Sequence, residues 1–122
     1  IITDRVREIG NSAFARIPLP HCMKIPEGVE TIADGAFAQC ANMEMLVLPK
    51  SLRKIGSRSF WCCMDLQTVM ANSPELYIGD NAFSYIPNLY VVDLPQNVTF
   101  ESNMVFYGSP FQKVYEQMYE KQ

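Results

Sequence analysis

Apolar residues recur along this chain in a fixed order of slots, not at the period of one long helix or one long strand. The stretch Ile32 to Pro49, IADGAFAQCANMEMLVLP, shows the full order. An isoleucine opens it, an Ala-Phe pair and a cysteine follow, and an alternating apolar run ends in proline. Phe14, Phe37, Phe60, Phe83 and Phe106 stand 23 residues apart. Ala13, Ala36, Ser59, Ala82 and Val105 precede them, and Ile9, Ile32, Ile55 and Ile78 lie five residues upstream. Pro26, Pro49 and Pro95 close the apolar runs, whereas the third copy has Asn72 in that slot and Pro74 two residues late. Agreement in many slots at one spacing marks a repeat architecture, in which each unit buries its apolar face only by stacking on the next.

Within a unit, Met43–Leu48, Leu66–Ala71 and Leu89–Leu94 follow the pattern L-x-x-L-x-L, with Met23–Ile25 a shorter version. Alternation at the end of each run predicts a half-buried strand. The proline after it lacks an N–H for the ladder and ends the strand. Val29–Ile32 and Leu52–Ile55 predict a second short extended segment after a turn at Gly28 or Ser51. The alanine-rich Gly35–Cys40 lacks β-branched residues and predicts a short helical turn behind the sheet. Near the end, Phe100 falls one residue early against the isoleucine slots. Phe111–Val114 fits the strand only with a one-residue deletion, and 115–122, YEQMYEKQ, reads as a C-terminal cap. The expected fold is α/β: a solenoid of about five 23-residue repeats, with a short parallel sheet on one face and short helical turns behind it.

Composition narrows the picture further. The chain has 122 residues, 48% of them hydrophobic and 19% charged, and its glycines and prolines sit at repeat boundaries, so residues 1–122 read as a single domain. A net charge of −3 gives no reason to expect nucleic acid or an acidic membrane as partner. No apolar run approaches the roughly 18 residues of a spanning helix. Ile2–Val6 aligns with Ile25–Val29, so the chain opens at the last residue of a strand. That alignment leads us to expect a segment of a longer array.

The order I-G-x-x-A-F-x-x-C-x-x-L followed by L-x-L-P resembles the BspA-like leucine-rich repeats. It stands here as IADGAFAQCANMEMLVLP, IGSRSFWCCMDL and IGDNAFSYIPNL, and the likeness runs from Val6 to about Phe111. The departures are Ile17 and Ile86 in the cysteine slot and the irregular turn Asn72–Glu75. The resemblance implies a right-handed leucine-rich-repeat solenoid and a bacterial cell-surface or secreted location. It also implies adhesion to host matrix or cell-surface proteins in some members. It carries no catalytic residues, so it implies no enzyme and no cofactor.

Candidate chemistry is sparse. Cys40 and Cys63 share a slot with Ile17 and Ile86, which indicates a thiol used for apolar volume. No C-x-x-C pair supports zinc, and Asp34, Asp65 and Asp80 form no D-x-D-x-D-G calcium loop. Asn42, Asp65 and Asn88 share the slot before the strand, where such side chains bond turn backbone. His21 stands beside Pro20 with no nucleophile motif near it. Trp61 occupies a slot held elsewhere by Ala15, Ala38, Ser84 and Tyr107, and reads either as an exposed anchor or as a lid over its neighbours. The x positions of L-x-x-L-x-L point away from the core. They give columns Cys22, Met45, Thr68, Val91 and Lys24, Val47, Met70, Asp93. Met45, Val47, Met70, Tyr90 and Val91 are therefore expected to form an apolar patch that contacts a protein partner. The alternative is a spacer repeat whose face has no ligand of its own.

Overall fold

A computed structural model describes residues 2–120. The 23-residue step becomes a stack of coils, each contributing one strand to each of two parallel sheets except the last, which contributes to one. One sheet holds β2 (Cys22–Lys24), β4 (Met45–Leu48), β6 (Thr68–Ala71) and β8 (Val91–Asp93), in that order. The other is formed by the second extended segments: β1 (Glu8–Ile9), β3 (Thr31–Ile32), β5 (Lys54–Ile55), β7 (Glu75–Ile78) and β9 (Asn97–Phe100). Register follows the slots, with Met45 paired to Thr68 and Thr68 to Val91. The late Pro74 changes one coil. There β7 lengthens to four residues, and Leu76 and Ile78 point inward at a strand's period of two. Its pairing to β9 places Ile78 opposite Phe100, so the early phenylalanine takes the isoleucine position.

Between the sheets runs the phenylalanine column. Successive rings from Phe14 to Phe83 lie 5.2 Å apart with interplanar angles of 7°, 3° and 3°. Phe37, Phe60, Phe83 and Phe106 are fully buried. The spacing is close to the roughly 4.8 Å between paired strands, so rings and strands advance together.

The back of each coil differs from the expected helical turn. In Gly35–Cys40, the N–H groups of Ala36, Ala38 and Cys40 bond carbonyls three residues back, at 3.1–3.3 Å. Those between them bond the next coil instead: Gly35 to Ser57, Phe37 to Ser59 and Gln39 to Trp61, at 2.7–2.9 Å. Left-handed residues flank each phenylalanine from Phe14 to Phe83 by two positions, as at Gly35 and Gln39 (φ 66° and 60°) or Arg58 and Cys62 (both 57°). A helix would turn all these N–H groups into its own carbonyls. Here every second one holds the neighbouring coil, and alanine's helix preference is overridden by those contacts.

Cys40 and Cys63 are buried free thiols, but volume is only part of their role. Cys40 Sγ donates to the Phe14 carbonyl at 2.9 Å, and Cys63 Sγ to that of Phe37 at 3.1 Å. Ser109, in the same slot, donates its hydroxyl to the Phe83 carbonyl at 2.7 Å. The slot therefore accepts a small donor or a plain apolar side chain. Burial pushes the Cys63 thiol up to about 12, and raises Cys40 and Cys62 as well.

At the far end, Phe111–Val114 does not form a strand. Phe111–Tyr115 is a short helix, α1, continued by a π-helical turn over Glu116–Glu120. Phe111 keeps the coil's backbone bond to Leu89 at 3.0 Å, while its ring meets Phe106 edge-on at 4.8 Å. Phe100 and Tyr115 pack at 5.0 Å, so aromatic rings cover the end of the column. Of the expected cap, Lys121 and Gln122 lie outside the described residues.

Three outcomes follow from this packing. Phe60→Ala should lose about 3–5 kcal/mol in urea unfolding, since it empties the centre of the column. Arg58→Gly should gain roughly 0.5–1 kcal/mol, because glycine relieves a left-handed residue, whereas in a helix it would lose about as much. Iodoacetamide at pH 8 should label exposed Cys22 first, and label Cys40 and Cys63 only on unfolding; mass spectrometry of the digested protein reads the order.

Candidate protein-binding face

The outward side of the β2-β4-β6-β8 sheet carries the residues singled out above. Inward Leu46 and Val69 are fully buried, and the pleat turns their neighbours outward. Met45 is 38% exposed, Val91 52% and Tyr90 65%. Val47 and Met70 are half-buried and directly paired in register. The five residues are thus not one uniform patch. Met45, Val47 and Met70 lie together on two adjacent coils. Tyr90 and Val91 stand on the coil beyond, with Thr68 between Met45 and Val91.

The slot before this sheet supplies its edge: His21, Glu44, Gln67 and Tyr90. Each of the first three turns a carbonyl to two N–H groups of the next coil, as His21 does for Glu44 and Met45 at 2.8 and 2.9 Å. The His21 ring is exposed, with Nδ1 3.0 Å from the Asn42 carbonyl and 3.7 Å from a Glu44 carboxylate oxygen. Lys24 and Asp93 stand at opposite ends of one column. A shallow depression of about 290 Å³ lies among Gln67, Thr68, Asn88, Tyr90 and Val91. A flat face with so little concavity suits a protein surface better than an enclosed small molecule.

The carboxylates and amides considered for metal have other work. Asp65 accepts the Asn42 N–H at 2.9 Å, and Asn88 donates to the Met64 carbonyl at 3.4 Å. They bond turn backbone as expected, but on the neighbouring coil. A ladder missed in the sequence runs through Asn11, Asp34 and Ser57, in which each of the first two side chains accepts the N–H one coil later, at 3.1 and 2.9 Å. Asp80 continues this slot, and its N–H donates to Glu101 at 3.0 Å. Among the described residues no three His, Cys, Asp or Glu side chains gather where an ion could be held. No helix among them is long and apolar enough to cross a membrane.

An aromatic edge behind the sheets was also missed. Trp61 is half-buried and meets Tyr85 edge-on at 6.3 Å; Tyr85 meets Tyr107 edge-on at 5.7 Å. Trp61 is therefore part of a cluster, neither a lone anchor nor a simple lid. The slot shared by Trp61 and Tyr107 was a usable signal, but Tyr85 belongs to the next slot, among Arg16, Gln39 and Cys62.

Comparison with known proteins bears on the whole chain. No curated protein sequence matches it. The crystal structure of the pneumococcal vaccine antigen PcpA aligns with a TM-score of 0.67 at 24% identity, over 85% of this chain and 34% of that one. The chain thus spans about a third of that structure's length, and the likeness establishes the fold. The BspA type leucine rich repeat region matches in six copies over residues 2–117. With the isoleucine, Ala-Phe and proline slots stacked as that repeat requires, the chain belongs to the BspA-type leucine-rich repeat family.

Proposed function

We propose that this chain is a non-catalytic protein-binding module of a bacterial cell-surface or secreted protein, and that it acts in adhesion to a host matrix or cell-surface protein. The contact is the outward sheet face, through Met45, Val47, Met70, Tyr90 and Val91. The observation that carries this reading is the exposure of Met45, Tyr90 and Val91 along one four-stranded parallel sheet. The sheet already fixes the backbone beneath these side chains, so a partner meets a preorganised surface and little backbone entropy is lost on binding. Leucine-rich repeats commonly mediate protein contacts, and the similar pneumococcal protein is described as a vaccine antigen; both support the reading.

A spacer is the second reading. Val47 and Met70 shield each other, which lessens the apolar area that a partner is needed to cover.

Met45→Glu with Val91→Glu separates the two, since both side chains are exposed enough to change without disturbing the core. Binding to a panel of purified host matrix proteins, read by surface plasmon resonance, should fall at least tenfold with the melting temperature unchanged. Binding that survives the double substitution counts against this face. No binding by the parent chain favours the spacer.

A further inference from the structure

We propose that the corner between Tyr85 and Tyr107 is a docking site for a lysine or arginine side chain of a protein partner, separate from the sheet face. The two rings stand at 83° with centroids 5.7 Å apart, and each is 45% exposed. They open on a depression of about 570 Å³ that Met104, Gln112, Glu116 and Glu120 also line. Among the described residues, neither lysine nor arginine lines it.

The local build favours such a guest. Trp61 buttresses Tyr85 edge-on from the other side, at 85°. Tyr85 has a left-handed backbone, φ 58°, in a slot that other coils give to Arg16, Gln39 and Cys62. Its ring lies against Gly108, where a Cβ would come within 2.7 Å of a ring carbon. Gly108, itself at φ 80°, is thus what admits the ring there. Glu116 is steadied by the Gln112 amide at 3.1 Å. Among the described residues, neither Glu116 nor Glu120 makes an ion pair.

Aromatic faces and carboxylates share one complement: a cation with an apolar stem. The cation is drawn to the ring face, and the methylene stem rests on Met104 and the rings while the charged head stays near the carboxylates. The net charge of −3 adds a weak attraction of the same sign. Methionine adapts its shape to whichever stem arrives.

The test is an NMR titration of the whole chain with an acetylated, amidated tri-arginine peptide at low salt. Tyr85 and Tyr107 ring resonances should shift saturably. The apparent affinity should drop at least fivefold in Glu116→Gln/Glu120→Gln and also in Tyr85→Ala, each with an otherwise unchanged amide spectrum. The sheet variant Met45→Glu/Val91→Glu should titrate like the parent, which keeps this site distinct from the adhesion face. The absence of saturable shifts overturns the proposal. Equal shifts with a tri-glutamine peptide, or undiminished affinity in the double glutamine variant, overturn it too.

Discussion

Everything in this molecule is tied to the stacking of one phenylalanine on the next. A ring every 23 residues, 5.2 Å from its neighbour and 5.8 Å at the final step, holds each coil in register with the last. Aromatic pairs contribute about 0.5–1.5 kcal/mol beyond their burial, but the constraint on geometry matters more. Once the rings are stacked, a coil cannot rotate or slip without losing both its sheets. The chain tolerates local errors only where they can be absorbed between rings. Pro74 is absorbed by lengthening β7, and the missing residue before Phe100 by closing β9 onto β7 one position early.

Stacking creates a problem of hydrogen bonding, and the polar slots solve it. Each coil has turn carbonyls and N–H groups that neither sheet reaches, and burying them unpaired would cost about 1–3 kcal/mol each. The next coil supplies the partner. Ser51 accepts the Gly28 N–H at 2.9 Å and donates to the Val29 carbonyl at 2.8 Å, while Glu27 accepts the Lys50 N–H at 3.1 Å. Cys40, Cys63 and Ser109 serve the phenylalanine carbonyls. At Gly56 and Gly79 the glycine leaves room for the backbone of the preceding coil. A Cβ on Gly79 would sit 2.7 Å from the Ser57 nitrogen of the preceding coil.

The fold was legible because a repeat writes its contacts as columns. The inward and outward positions of Met45–Leu48, and the pairing of Cys22, Met45, Thr68 and Val91, could be read by adding the step. What the columns could not show was where a backbone N–H points. Gly35–Cys40 has helix-forming residues, yet half its donors are taken by the next coil, and only the structure shows the left-handed positions that permit this. The same limit hid the thiol donation of Cys40, since isoleucine in its slot argued for volume alone. It also hid the aromatic edge, because Trp61, Tyr85 and Tyr107 come from two slots and meet only through the left-handed turn at Tyr85.

A rigid lattice of this kind leaves function to the residues that break its rules. Alanine, cysteine and isoleucine slots are filled for packing, and their occupants say little about a partner. Tyr90 stands in a slot otherwise given to His21, Glu44 and Gln67, and Tyr85 in one given to Arg16, Gln39 and Cys62. Neither ring belongs to the phenylalanine column; Tyr90 is largely in water, and Tyr85 is about half covered by its neighbours. They sit on successive turns of the same coil, one at the edge of the strand sheet and one on the turn side, where Gly108 makes room. Within six residues of one coil, Tyr85 and Tyr90 thus put aromatic rings into two slots that hold no phenylalanine, tyrosine or tryptophan in the other coils. Both rings project from a coil whose geometry is held by Phe83, stacked between Phe60 and Phe106 in the column.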